Sequence, residues 1–344
     1  MPQRRTTFSK FIIEEQRSHV GADPALTALL NDIQTACKFI ASAVSRGTLD
    51  ESFERDPAAH AREILLRECE WGGQLGAAIF EGIELPYQIP AGYPRGRYLV
   101  VFDPLDGAPS LDVNVSAGTI FSVLAAPEGI DEPRAQDFLQ PGTAQLAAGF
   151  ALYGPTSWVA LTLGSGVHGF TLDREIGAYT LTHPDMRIPE ASSEVAIHAS
   201  NERYWEAPVQ HYVDECVEGQ AGQRGEDFHV RRVDSLVAEV HRLLVRGGVF
   251  ISPRDVRDPA TGAHLLYDAN PVAMIVEQAG GAASTGRARI LDVRPESVHA
   301  RVPMVLGAKR EVERVERYYA THDNGEELVF ETPLFNTRSL FRTV

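Results

Sequence analysis

Asp103-Pro104-Leu105-Asp106-Gly107 sets two carboxylates three positions apart, directly after the apolar run 98–102 (YLVVF), which reads as a buried strand. Proline fixes its own φ and bends the chain as it leaves a sheet, and glycine permits close backbone approach. Such a turn can bring both carboxylates and the Leu105 carbonyl around one point. Mg²⁺ takes hard oxygen donors at about 2.0–2.1 Å in a near-octahedral array, commonly shared with a substrate phosphate. Two such ions would polarise a phosphoryl group, generate hydroxide and stabilise a leaving oxygen. Backbone N–H groups after Gly107, if they open a helix, would cradle a phosphate. The same residues would also serve as an Asx-Pro turn closed by glycine, a common loop device. Company favours metal: Glu81 lies upstream, and Asp268 sits in 265–271 (LLYDANP), just ahead of a helix start. Taken alone, Asp268 is a polar residue of a helix-leading loop.

Other chemistry-bearing patterns are weaker. Gly164-Ser165-Gly166-Val167-His168-Gly169 matches a dinucleotide-binding glycine pattern, but strand-like Phe170-Thr171-Leu172 follows instead of a helix. Without strand-to-helix context the match means a β-turn. The 11 histidines form no HExxH pair, so surface or satisfied core positions are expected for most. Cys37 and Cys69 fall on apolar helix faces and read as core, and no serine occupies a Gly-x-Ser-x-Gly elbow.

The elements that must position these residues are legible in outline. Asp23-Pro24 and Asp56-Pro57 are helix starts, an N-cap followed by proline at the first helical position. Leu26, Leu29, Ile33, Cys37, Ile40 and Val44 then recur at helical spacing until Gly47. Strands dominate residues 98–182, including 120–125 and a hairpin from 158–163 to 169–173. Helix is expected over 232–245, strand over 249–251, and a further helix from Asn270-Pro271 to Gly280-Gly281. This places a domain boundary near residue 188: residues 1–188 carry the metal turn, 189–322 form a second domain, and 323–344 an additional tail.

A net charge of −15 gives no basic footprint for nucleic acid, and an acidic chain handling phosphates would need cations between like charges. No apolar run reaches the roughly 18–20 residues of a membrane span, and the basic start is not followed by a signal-type apolar stretch. Three widely separated cysteines fit a reduced, cytoplasmic setting.

Over residues 4–319 the chain resembles the class I fructose-1,6-bisphosphatases. The carriers are 4–17, 98–123 (YLVVFDPLDGAPSLDVNVSAGTIFSV), 138–155 (FLQPGTAQLAAGFALYGP), 235–250 (SLVAEVHRLLVRGGVF) and 265–286, in the family's order. The resemblance implies an α+β fold with mixed sheets, a layered α/β/α/β/α sandwich, in a homotetramer. It implies Mg²⁺, or Mn²⁺, and hydrolysis of the 1-phosphate of fructose 1,6-bisphosphate in gluconeogenesis or the Calvin cycle. The implied metal ligands are Glu81, Asp103, Asp106, Asp268 and the Leu105 carbonyl, with Asp268 in place of a glutamate. The implied phosphate cradle runs from Asp106 and Gly107 through Ala108 and Pro109 to Ser110, and Arg231 is the arginine that reaches a neighbouring subunit's substrate.

Departures cluster on function. Gly82 stands for a second glutamate, and Ala108-Pro109-Ser110 for Ser-Ser-Asn. Pro109 has no N–H to give a phosphate, although its φ suits a helix start. The chain is short between Gly47 and Glu63, where the family's mobile catalytic loop carries an aspartate near the attacking water. Gly262 replaces a substrate-binding lysine, His264 an arginine, His198 an asparagine, Arg232 an aromatic residue and Ser252 a tyrosine. Arg232, His198 and His264 could form a new anion pocket. Three readings stay open on these residues: a fructose-1,6-bisphosphate phosphatase, a phosphatase for another sugar phosphate, or a catalytically impaired or non-catalytic paralogue that binds a metabolite or an active subunit.

Overall fold

The computed structural model describes residues 6–18, 23–130, 132–190, 192–257 and 261–326. Most of the 323–344 tail therefore lies outside the described residues. Four helices come first: α1 (Phe8–Ser18), α2 (Pro24–Arg46), α3 (Glu51–Arg55) and α4 (Pro57–Cys69). Both Asx-Pro starts are used as read. The Asp23 carboxylate accepts from the Ala25 N–H at 2.9 Å and that of Asp56 from the Ala59 N–H at 2.9 Å. A cap of this kind contributes about 1 kcal/mol.

Eight strands follow: β1 (Leu75–Phe80), β2 (Tyr87–Gln88), β3 (Tyr98–Asp106), β4 (Ala117–Ala125), β5 (Ala147–Tyr153), β6 (Ser157–Thr162), β7 (His168–Asp173) and β8 (Ala178–His183). They form one sheet in the order β2-β1-β3-β4-β5-β6-β7-β8, parallel only between β1 and β3. Its central strands are apolar on both faces because both are covered. In β4, for example, Phe121 and Val123 face the core shared with α1, α2 and α4, while Ile120 faces the opposite core. The glycine-rich segment 164–169 joins antiparallel β6 and β7 as the expected hairpin.

The second half builds a five-stranded sheet from β9 (Glu194–Ile197), β10 (His229–Val230), β11 (Val249–Ser252), β13 (Ala282–Ser284) and β15 (Met304–Gly307), ordered β10-β9-β11-β15-β13. Strands β12 (Ala263–His264) and β14 (Arg301–Val302) pair separately. The period of two sorts side chains into different layers. Val195, Ile197, Val249, Ile251 and Val305 face α5 (Ala207–Glu218) and α8 (Lys309–Asp323). Ala196, Phe250, Met304 and Leu306 face α6 (Leu236–Arg246) and α7 (Asn270–Gln278), which lie between the sheets. The order of layers is α/β/α/β/α, an α+β fold with mixed sheets, as the resemblance implied. The middle core joins Ile120, Phe150 and Trp158 from the first half to Val240, Leu243 and Met304 from the second, so the halves bury apolar surface against each other.

Three local expectations are corrected. The carboxylate segment does not turn after the strand: β3 runs on to Asp106, with a register shift against β4 between Asp103 and Asp106. The helix expected from residue 232 begins at Leu236, because Ser235 caps it. Asp268 is not in a loop but in a π-helical turn, Leu265–Ala269, leading directly into α7.

One half-buried acid in the outer helical layer gives a pH test. Burial, with the neighbouring Glu68, pushes the Asp32 carboxyl from 3.8 up to about 6. The fold therefore favours the neutral acid. That contribution is complete below pH 3.8 and is lost as pH rises through 6. Asp32→Asn, which cannot ionise, is expected to melt above wild type at pH 7.5, with the gain disappearing at pH 4.5. Equal melting differences at the two pH values would count against the assignment.

Candidate functional site

Strand register brings the first two acids together. Phe80 of β1 pairs with Phe102 of β3 in parallel register, and the Glu81 N–H donates to the Phe102 carbonyl at 2.9 Å. Glu81, just past the end of β1, and Asp103, within β3, are thus set side by side. Asp103 is buried, and its carboxylate accepts from the Leu105 N–H at 3.0 Å, closing the Asx-type bend at Pro104. Asp106 pairs across to Gly118 and turns its carboxylate to the start of α6, accepting from Ser235 Oγ at 2.8 Å and the Val237 N–H at 3.0 Å. The chain then reverses at Gly107, whose φ of 75° is left-handed. A Cβ there would also sit 3.0 Å from that of Ser235.

Asp268 arrives from far along the chain because its neighbours are core residues. Leu266 and Tyr267 pack onto Ala77, Ile79, Leu99 and Val101 of β1 and β3. The π-helical turn then carries Asp268 to the same strand ends, where its carboxylate accepts from the His264 N–H at 3.0 Å. The imidazole Nδ1 of His264 lies 2.6 Å from Glu81 Oε1.

The electrostatics of this gathering are unbalanced. Burial, compounded by Asp268, Asp106 and Glu81, pushes the Asp103 carboxyl well above the usual range. Burial and then Glu81 do the same to Asp268. Burial raises Asp106 too, against the lowering effect of its Val237 and Ser235 hydrogen bonds. Glu81 alone is held low, chiefly by its hydrogen bond from His264. Four acids with mutual repulsion and one close imidazole are a donor set that fits divalent cations: hard, anionic, convergent oxygens.

The carboxylates border a cavity of about 310 Å³ lined by Glu81, Asp106, Gly107, Pro109, Arg232, Ser235, His264, Asp268 and Arg301, among others. A second cavity of about 220 Å³ adjoins it, sharing Arg232, Ser252 and Gly262, and is lined further by His198, Asn201, Trp205 and Arg254. The Trp205 indole N–H is buried there without an acceptor. Expected substrate contacts therefore divide. Arg232 lies at the junction, His198 belongs to the second cavity, and His264 stands with the acids rather than among cations. Arg231 lines neither cavity and points at Glu194, 3.6 Å away. Ala108 packs against the helical core while Pro109 opens a 3₁₀ turn, Ala108–Val113. The Ser110 N–H already donates to the Gly107 carbonyl at 3.0 Å, which narrows the backbone donors this stretch can offer a phosphate. Residues 47–63 form a 3₁₀ turn, Gly47–Leu49, then α3 and the start of α4, and contribute nothing to either cavity.

Sequence reasoning passed over Asp234, Ser235 and Arg301. Ser235 carried a legible signal, a serine N-cap ahead of an apolar helical repeat. Arg301 carried none: its guanidinium, bonded to the Gly262 carbonyl at 2.7 Å, adds to the lowering of Glu81 and offsets a small part of the rise at Asp268.

Comparison with known proteins identifies the family. The family model for the N-terminal domain of fructose-1-6-bisphosphatase matches residues 85–184, and that for its C-terminal domain matches 188–320. Class 1 fructose-1,6-bisphosphatase of Methylacidiphilum infernorum is 52% identical, covering 99% of each chain. That of Hydrogenophilus thermoluteolus is 50% identical over 98% of this chain and 97% of its own. The holo crystal structure of Leishmania major fructose-1,6-bisphosphatase superposes with a TM-score of 0.85 at 31% identity, covering 92% of this chain and 99% of that one. Its apo form gives 0.83. Fold and family models together define a phosphatase, a hydrolase of phosphate esters. The chain belongs to the class 1 fructose-1,6-bisphosphatase family.

No helix among the described residues is long and apolar enough to cross a membrane. The three cysteines are buried and free.

Proposed function

We propose that the two joined cavities hold fructose 1,6-bisphosphate and that the acidic end hydrolyses its 1-phosphate. The supporting observation is the convergence of Glu81, Asp103, Asp106 and Asp268 beside a cavity that continues into a second one bearing His198, Arg232 and Arg254. Each end suits one part of a bisphosphate: acids that recruit cations at the scissile phosphate, and direct cationic contacts for the distal one. Glu81, Asp103, Asp106, Asp268 and the Leu105 carbonyl are the residues that would hold Mg²⁺ or Mn²⁺. Bound there, such ions supply the positive charge that polarises the phosphoryl oxygens and stabilises the leaving oxygen. Ser235 and the Val237 N–H hold Asp106 in place, and His264 stands against Glu81. A homotetramer belongs to the same proposal, since exposed Arg231, outside both cavities of its own chain, is available to a neighbour's. Residues 1–188 and 189–322 are proposed as the two structural units that meet at the site.

Purified protein with Mg²⁺ or Mn²⁺ is expected to release phosphate from fructose 1,6-bisphosphate faster than from sugar monophosphates. Chelation should abolish release and added metal restore it. Metal-loaded protein that leaves fructose 1,6-bisphosphate intact would defeat the proposal.

Arg232 gives a second test. Among the described residues it is paired with Asp234 alone, at 3.5 Å, and it lines both cavities. A hydrogen bond to a charged group contributes about 1.5–3 kcal/mol, so Arg232→Ala should raise KM roughly 10- to 100-fold. The expected change in kcat is less than about threefold, because uniform binding is lost rather than transition-state contact. An unchanged KM would remove Arg232 from the substrate site.

A further inference from the structure

We infer that His264 is itself a metal ligand through Nδ1, which makes the centre a mixed imidazole–carboxylate site that favours Mn²⁺ over Mg²⁺. The inference rests on the metal-dependent reading above and deepens it.

Three observations carry it. First, Glu81, His264 and Asp268 each offer one ligand atom, and these atoms all lie within 4.8 Å of one another. Second, the individual separations suit a shared ion. Nδ1 is 2.6 Å from Glu81 Oε1 and 3.8 Å from Asp268 Oδ2. Neighbouring donors at about 2.1 Å from an octahedral ion stand about 3 Å apart, between those two values. Third, the ring is already oriented. His264 is 8% exposed, its backbone N–H is anchored to the Asp268 carboxylate, and its imidazole meets the Tyr267 ring edge-on at 5.7 Å and 87°. Little rearrangement separates this arrangement from one in which Glu81 and His264 exchange their mutual hydrogen bond for a common cation.

The chemical consequence is a change in metal preference. Mg²⁺ selects oxygen donors and holds its water tightly, whereas imidazole nitrogen suits Mn²⁺ and the later first-row ions. The competing role for His264 is that of a hydrogen-bond donor that only positions Glu81. The two roles differ in whether nitrogen touches the metal.

Pulsed electron paramagnetic resonance of the full chain loaded with Mn²⁺ distinguishes them. Modulation from directly bound ¹⁴N is expected in wild type, converting to the ¹⁵N pattern when histidine is labelled. It should vanish in His264→Gln while Mn²⁺ remains bound by the carboxylates. Calorimetric titration of the same pair should show the ratio of Mn²⁺ to Mg²⁺ affinity falling about tenfold in the variant. Mn²⁺ bound to wild type without nitrogen modulation overturns the inference and leaves the metal-dependent function standing. Failure of wild type to bind Mn²⁺ at all overturns both. Should His264→Gln not fold, the labelled wild-type spectrum decides alone, since among the described residues no other histidine joins a cluster of three possible ligands.

Discussion

Asp106→Ala is expected to cut phosphate release from fructose 1,6-bisphosphate by about a thousandfold, or roughly 4 kcal/mol of transition-state stabilisation. The carboxylate lines the cavity together with those of Glu81 and Asp268, and its charge is what draws a cation toward the scissile group. It is also a structural acceptor, binding Ser235 Oγ and the Val237 N–H at the start of α6. Alanine removes both roles and leaves buried donors unpaired, a cost of about 1–3 kcal/mol. Asp106→Asn separates the two. Its amide oxygen still accepts from α6, but it carries no charge, so turnover should fall as far as in alanine while the melting temperature stays above that of Asp106→Ala. Wild-type turnover in the asparagine variant would show that the negative charge is dispensable and would sink the catalytic reading of this acid.

Gly118→Ala, distant in chemistry from any reacting group, is expected to lower both stability and activity. Gly118 lies opposite Asp106 on β4, beneath the first turn of α6. A Cβ there would be 2.2 Å from the Ala151 carbonyl oxygen and 2.5 Å from Val237 Cγ2. The first contact is with backbone of the adjacent strand β5, so no rotamer change can relieve it. Overpacking of this kind costs about 3 kcal/mol, which for a chain of this length lowers Tm by about 4 °C. The second contact is relieved by lifting Val237, whose N–H donates to the Asp106 carboxylate. Displacing a positioned group by a fraction of an ångström costs about tenfold or more in rate. The expected signature is reduced kcat at temperatures where the variant is fully folded. A variant with lowered Tm and unaltered kcat would show that α6 does not transmit the strain to Asp106.

Much of the candidate site was legible in advance because its parts are local. Asp103-Pro104-Leu105-Asp106-Gly107 announces itself by residue type, and Glu81 follows from resemblance. The Asx-Pro helix starts and the apolar strands were equally plain, because caps and runs of buried residues act over a few positions. The errors were of extent. Sequence could not show that β3 continues through the proline to Asp106, since pairing with β4 and a register shift, both non-local, decide it. Nor could it place Asp268 in a π-helical turn, which depends on Leu266 and Tyr267 finding the surface of β1 and β3.

The amino-acid sequence by itself determined which donors exist: four acids, an imidazole where an arginine was expected, and a proline where an N–H was expected. It also carried the resemblance to the family over residues 4–319, and the order of layers was what that resemblance implied. Only the tertiary structure decided that His264 stands 2.6 Å from Glu81 among the acids, that His198 faces a separate cavity, and that Arg301 tempers the carboxylates. The physical reason is range. Side-chain identity and local backbone preference are written residue by residue, whereas the field at a carboxylate is set by whatever the packed core brings within a few ångströms of it.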